Sequence, residues 1–273
     1  MKKFKGYEVV DKYPEDGWLK GYFYAKDDDI NGTSKTSLAY QDLAYIGHKD
    51  YILHLLDIKR GERVFDIGCS NGAMMVYCGL LGAEVYGVDI CAELIGKANE
   101  YLSRYGIKGR AIVGDAKKVD LPDNYFDKVV SSDFFEHLNF KDNILVLKEI
   151  KRILKPGGRL VIKTPNLTYL RCSRLFKQIW YALKFKNPFK IISPHTKGEN
   201  TEHIGLATKK QLMKAIKLAG FMNFKFHYDT NSKIEKLNYS AAELFTDIPV
   251  LRDIFSEDLI AVVYKPIILS FFS

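Results

Sequence analysis

No cysteines in this chain are spaced as a zinc or redox pair: the four, at positions 69, 78, 91 and 172, form no Cys-x-x-Cys and have no histidine at metal-ligand spacing. They are expected as reduced, mostly buried thiols. No apolar run is long enough to cross a bilayer. The longest stretch free of charge, Ile67 to Ala83, is 17 residues interrupted by four glycines, a serine and an asparagine, short of the roughly 20 apolar residues of a span. The opening MKKFKGYEVVD meets Glu8 and Asp11 before any apolar run, so it lacks the hydrophobic region of a secretory signal. A cytoplasmic location is expected. Internal repeats are absent, and with 47% apolar and 13% aromatic residues over 273 positions the composition excludes a disordered or collagenous chain. One or two packed domains are expected.

Acidic residues are missing from one window in particular. From Leu167 to Gly198 there are seven basic residues (Arg171, Arg174, Lys177, Lys184, Lys186, Lys190 and Lys197) and no Asp or Glu, so this segment holds nearly all of the chain's net charge of +8. Leu175, Phe176, Ile179, Trp180 and Leu183 repeat there at helical spacing, with the basic residues mostly elsewhere on the wheel. The pattern predicts a basic amphipathic helix with an aromatic face, suited either to a peripheral, salt-sensitive contact with an anionic membrane or to a lid packed on the protein.

The remainder alternates in type. VFDI, EVYGVD, AIVG, FDKVVS and RLVIKT read as strands, separated by helical runs from Ala73 to Leu81, Ala92 to Tyr105, and through KDNILVLKEIKRIL. Such alternation predicts a mainly parallel, doubly wound α/β sheet with helices on both faces. Lys155-Pro156-Gly157-Gly158 is read as the turn that stops the third helix and starts the strand from Arg159. Thr208-Lys209-Lys210-Gln211 reads as a capping box opening LMKAIKLA, and FKFHYD and LIAVVY supply two last strands. Residues 1–34 are an aromatic and polar extension, one or two helices fall between Lys35 and Ile58, and 35–273 is the main domain with 167–200 as its insert.

In an open parallel sheet the ligand lies beyond the carboxyl ends of the strands. Three acids fall there. Asp66 enters the small-residue turn Gly68-Cys69-Ser70-Asn71-Gly72, Asp89 ends the second strand where a carboxylate accepts ribose hydroxyls, and Asp115 follows the third in Gly114-Asp115-Ala116, within reach of an adenine amine. A dinucleotide site also combines a glycine turn with a later acid, but its G-x-G-x-x-G is not met, because Ser70 and Ala73 stand at the second and third glycines. Asp66 beside the turn disfavours a pyrophosphate and suits a cationic amine or sulfonium.

These segments together resemble the class I S-adenosylmethionine-dependent methyltransferases. DIGCSNG resembles the family's first motif, Asp89 in VYGVDI its ribose-binding acid, and GDA its adenine contact. LPDNYFDKVVSSDFFEHL, LKEIKRILKPGGRLVIKTPN and HIGLATKKQLMKAIKLAGF resemble the stretches that follow, over roughly residues 40 to 265. The resemblance implies a seven-stranded Rossmann-like sheet with an antiparallel last strand, and S-adenosylmethionine as cofactor. It assigns cofactor contacts to Asp66, Gly68, Cys69, Ser70, Gly72, Asp89, Ile90, Asp115, Ala116 and Ser132. Ser70 departs from the pattern, standing where many members have glycine.

For the reaction, Asp133, Glu136 and His137 lie on one face if the segment after the fourth strand turns helically. His137 is then the candidate base, with Asp133 or Glu136 orienting it. The acid-x-x-Glu-His spacing also resembles the ubiquinone-pathway O-methyltransferases, in which such residues hold a divalent cation. Here the first acid is the shorter Asp133, and no metal is assigned. A Pro-Pro-Tyr signature of base amino methylation is absent, with Ser-Ser-Asp-Phe in its place. The resulting expectation is methyl transfer to a small-molecule or lipid-linked acceptor, preferably at oxygen. A silent cofactor-binding scaffold and an RNA methyltransferase using the basic insert are the alternatives. His195, His203, Tyr22 and Tyr24 are further candidates at the pocket mouth.

Overall fold

Seven strands hydrogen-bond in one sheet in a computed structural model that describes residues 3–4, 7–8, 51–187, 189, 203–228 and 248–267. They are β1 (Arg63–Ile67), β2 (Glu84–Asp89), β3 (Gly109–Val113), β4 (Phe126–Ser132), β5 (Leu154–Pro165), β6 (Asn223–Tyr228) and β7 (Asp258–Tyr264). Their order is β3-β2-β1-β4-β5-β7-β6. β1 pairs in parallel with β2 and β4, and β2 with β3. The β7 segment runs antiparallel to β5. Lys265 N–H donates to the Gly158 carbonyl at 3.0 Å, while at the other end Asn166 N–H donates to the Glu257 carbonyl at 2.9 Å. The apolar runs of β1 and β7 are buried along nearly their whole length, as strands covered on both faces must be.

Of the expected extension over 1–34, only a short antiparallel pair, Lys3–Phe4 with Tyr7–Glu8, is described. Tyr22, Tyr24, His195 and most of the helical region predicted from Lys35 lie outside the described residues; residues 51–56 are helical. The described chain divides into two compact units, Met1–Ser131 with Arg152–Val161 and Tyr264–Ser273, and Ser132–Lys151 with Ile162–Val263.

The first unit contains α1 (Ala73–Leu80) and α2 (Ala92–Arg104). α1 is buried on nearly every side and α2 only along Ile95, Ala98 and Leu102. Gly72, at φ +82°, lets the chain enter α1 against α2: a Cβ there would stand 2.8 Å from that of Ala98. Phe65 and Phe126 pack with ring centroids 4.8 Å apart across neighbouring strands. The segment Lys155 to Gly158 is not a free turn, as its sequence suggested. Strand β5 already begins at Leu154, and Gly157, at φ +77°, bends the strand while its N–H still donates to the Lys265 carbonyl. Glycine's tolerance of positive φ replaces a chain reversal with a kink.

The second unit contains a 3-10 turn (Phe135–His137), most of α3 (Phe140–Ile153), α4 (Leu167–Leu183), α5 (Lys209–Leu218) and α6 (Pro249–Phe255). The capping box of α5 forms as its sequence predicts: Gln211 N–H donates to Thr208 Oγ1, and Thr208 N–H to Gln211 Oε1 at 2.9 Å. The α6 helix has no counterpart in the sequence reading.

Candidate functional site

The cofactor candidates of the first unit stand at the same ends of three adjacent parallel strands, because the register sets Ile67 against Val88 and Asp89 against Val113. Leaving β1, the chain turns through Gly68 at φ +68° and Ser70 at φ +49°, and the N–H groups of Gly68 and Cys69 both donate to the Val88 carbonyl. Ser70 adopts the left-handed backbone that glycine takes freely, which gives a physical account of the glycine common at this position in the proteins its turn resembles. Asp89 anchors the turn: its Oδ2 accepts Ser70 N–H and its Oδ1 accepts Cys91 N–H, each at 2.9 Å. Both oxygens keep a second lone pair for a ribose hydroxyl.

Ile90 follows with its side chain 78% exposed, an apolar surface beside a fixed carboxylate. Asp115 is exposed and caps its own turn, Oδ1 accepting Lys117 N–H at 2.9 Å, with Ala116 buried behind it. Asp66 is buried at the end of β1. Cys69 is buried as well, and burial together with the Asp66 and Asp89 charges pushes its thiol far above the ordinary range, so it is a packing group rather than a nucleophile. Burial does the same to Cys78, and none of the four cysteines forms a disulfide.

In the second unit, Ser132 donates its hydroxyl to Asp133 Oδ2 at 3.1 Å. The following segment is not an α-helix. Asp133 takes φ +58° and the chain then makes a single 3-10 turn, so Asp133, Glu136 and His137 do not share one helical face. Asp133 instead pairs with Lys163 of β5 at 2.6 Å, and Lys163 also reaches Asp258 of β7 at 3.2 Å. Burial opposes the charge on Lys163, but the Asp133 and Asp258 carboxylates outweigh it and hold the ammonium above the usual lysine range.

His203 takes the place that the sequence reading gave Asp133. One ligand atom each of Glu136, His137 and His203 lie within 4.8 Å of one another, and the two imidazole rings meet edge to face with centroids 4.8 Å apart. Gly205 N–H donates to the Glu136 carbonyl at 2.8 Å, which fixes the His203 segment on the turn. A side chain at Gly205 would collide with the Leu138 carbonyl. Glu136 is buried and accepts a hydrogen bond from Thr164 Oγ1 at 3.0 Å. Burial, helped by the Asp133 charge, pushes its carboxyl up to about 7. One carboxylate and two imidazoles are a donor set able to take a proton or to ligate a divalent cation.

Lys163, Thr164 and Asp258 were not singled out from sequence. A lysine inside the apolar run RLVIKT was the available signal, since a charge in a buried strand needs partners.

A glycine turn and three acids at the carboxyl ends of neighbouring parallel strands stand where open α/β sheets commonly take their ligands. Comparison with known proteins narrows the class. The methyltransferase domain family matches residues 65–162. The sterol 24-C-methyltransferase of Gibberella zeae is 35% identical over 120 residues, covering 43% of this chain and 31% of that protein. The ubiquinone/menaquinone biosynthesis C-methyltransferase of Neisseria gonorrhoeae is 29% identical over 147 residues, 53% of this chain and 56% of that one. The chain thus spans between about a third and about half of the length of these curated relatives. A SAM-dependent methyltransferase from Archaeoglobus fulgidus shares the fold, with TM-score 0.56 and 21% identity over 89% of this chain and 100% of that one. Residues 65–162 thus carry a methyltransferase domain match, and the chain is similar in sequence and fold to S-adenosylmethionine-dependent methyltransferases.

Proposed function

We propose that this chain transfers the methyl group of S-adenosylmethionine to an oxygen of a small-molecule or lipid-linked acceptor, with His137 taking the acceptor's proton. The observation that carries this reading is the gathering of Glu136, His137 and His203 within 4.8 Å on a fixed turn. In the step, the acceptor O–H proton passes to the imidazole and an oxygen lone pair attacks the methyl carbon in line. The carbon–sulfur bond breaks with its electrons going to sulfur, and the sulfonium becomes a neutral thioether. Charge is neutralised rather than developed, so alignment supplies most of the acceleration, about 7–11 kcal/mol in well-oriented systems. Asp66, Asp89, Ile90 and Asp115 hold the cofactor in this reading, and Glu136 and His203 set the orientation of His137.

A second reading, transfer to carbon, is favoured by the relatives, two of which are named C-methyltransferases. Removing a phenolic or enolic proton raises the nucleophilicity of both the oxygen and the conjugated carbon, so the same base serves either. Incubation with methyl-labelled cofactor and a cell extract separates the possibilities. Label in the lipid or small-molecule fraction, released by hydriodic acid, is expected for an O-methyl product; label that resists hydriodic acid and gives a carbon-bound methyl signal in the product's NMR spectrum identifies carbon. Label confined to nucleic acid or protein would overturn the acceptor class. Proton removal by His137 needs no metal, so EDTA is expected to leave turnover unchanged. Loss of turnover restored by a divalent cation would instead make the same three groups a cation site.

A further inference from the structure

We infer that the projecting half of α4 is a docking surface for an anionic lipid bilayer. Among the described residues, side-chain hydrogen bonds to the rest of the protein hold the start of the helix. The Asn166 side chain accepts Thr168 N–H at 3.0 Å and donates to the carbonyls of Asp253 and Ser256, and Tyr169 hydroxyl bonds Glu257 at 3.0 Å. From Arg174 to Asn187 every side chain except Gln178 is exposed, and the helix contains no buried residue. By contrast, α2 and α5 each bury an apolar stripe.

The exposed face of α4 is apolar. Leu175, Phe176, Ile179, Trp180 and Leu183 are 56%, 59%, 50%, 57% and 71% exposed on one side of the helix. A contiguous patch of this kind on a water-soluble surface marks an interaction site. Charge decides the occupant. Arg171, Arg174, Lys177 and Lys184 fall mostly off the stripe, Lys184 Nζ lies 4.4 Å over the Trp180 ring, and no acid occurs from Leu167 to Gly198. A basic helix with an apolar stripe and an ammonium over an exposed indole suits the boundary between acyl chains and anionic headgroups. No helix among the described residues is long and apolar enough to cross a membrane, so the contact lies at the surface. It goes beyond the proposed reaction and is read without turnover.

The test is sedimentation of the full chain with vesicles of phosphatidylcholine alone or mixed equally with phosphatidylglycerol, at low and high salt. Binding to the anionic vesicles at low salt, lost at high salt, is expected. Each basic side chain near such a surface contributes about fivefold, so Lys177→Glu with Lys184→Glu should weaken binding at least about 20-fold. Ile179→Ser with Trp180→Ser should weaken it comparably, and calorimetric binding of S-adenosylmethionine should stay unchanged in both variants. No binding to anionic vesicles, equal binding to neutral ones, or unaltered binding by both variants overturns the proposal. So does sedimentation equilibrium showing that the stripe is covered by a second copy of the chain, or RNA binding in place of vesicle binding. Since vesicle binding and methyl transfer are measured apart, failure of one leaves the other standing.

Discussion

The Asp89 carboxylate pins the Ser70 turn by accepting the backbone N–H groups of Ser70 and Cys91, and in the proposed cofactor site its remaining lone pairs accept the ribose hydroxyls. Hydrogen bonds to a charged group contribute roughly 1.5–3 kcal/mol, so Asp89→Ala is expected to weaken S-adenosylmethionine binding by about 10- to 100-fold in a calorimetric titration. Unchanged affinity would remove Asp89 from the cofactor site. Glu136 bears on stability through its protons. Its carboxyl is raised from the ordinary value to about 7, chiefly by burial, so between about pH 4.5 and 7 the folded chain holds a proton that the unfolded chain has released. Stability therefore falls as pH rises across that window and levels off above it. Glu136→Gln, neutral at all pH, is expected to lose this slope, with its melting temperature gaining on the parent's from pH 5 to pH 8. Parallel melting curves against pH would contradict the assignment. At this scale the placement of Asp66, Asp89 and Asp115 at the carboxyl ends of three strands was readable, because alternation locates those ends. The partnership of Glu136 with His203 was not, because 67 residues and an unpredicted approach of backbone at Gly205 separate them.

Lys163 joins three segments far apart in the chain: Asp133 after β4, its own strand β5, and Asp258 at the start of β7. Removing one partner from a buried charge set leaves the others uncompensated. With Asp133 about half exposed, the penalty is screened. Lys163→Met is expected to destabilise the fold by about 1–3 kcal/mol in urea unfolding; no change would show that water already satisfies both carboxylates. The elements themselves were legible where period and punctuation agreed, as in α2, α5 with its Thr208–Gln211 box, and the amphipathic α4. They were misread where a backbone detail decided. Asp133 at φ +58° breaks the helical face that its spacing with Glu136 and His137 suggested, and Gly157 continues a strand where a turn was expected. The seven-residue α6, with proline at its start, is too short to show a period.

For the whole molecule, alternation of strand and helix implied the doubly wound sheet, and its observed order β3-β2-β1-β4-β5-β7-β6 with β7 antiparallel to β5 agrees with what the family resemblance implied. The acceptor is less legible, because neither strand patterning nor the cofactor motifs encode it. In the proposed reaction its chemistry rests on the turn carrying Glu136 and His137 and on the segment carrying His203. The central claim is that these groups accept a proton during methyl transfer from S-adenosylmethionine. Its most direct test compares transfer of labelled methyl into extract by the parent chain and by His137→Ala, with cofactor affinity measured on both. General-base catalysis is worth about 10²- to 10⁴-fold, so the account predicts a loss of at least about 100-fold in transfer with cofactor affinity unchanged. Equal transfer by the two proteins, or no transfer by a parent chain that binds the cofactor, would contradict it.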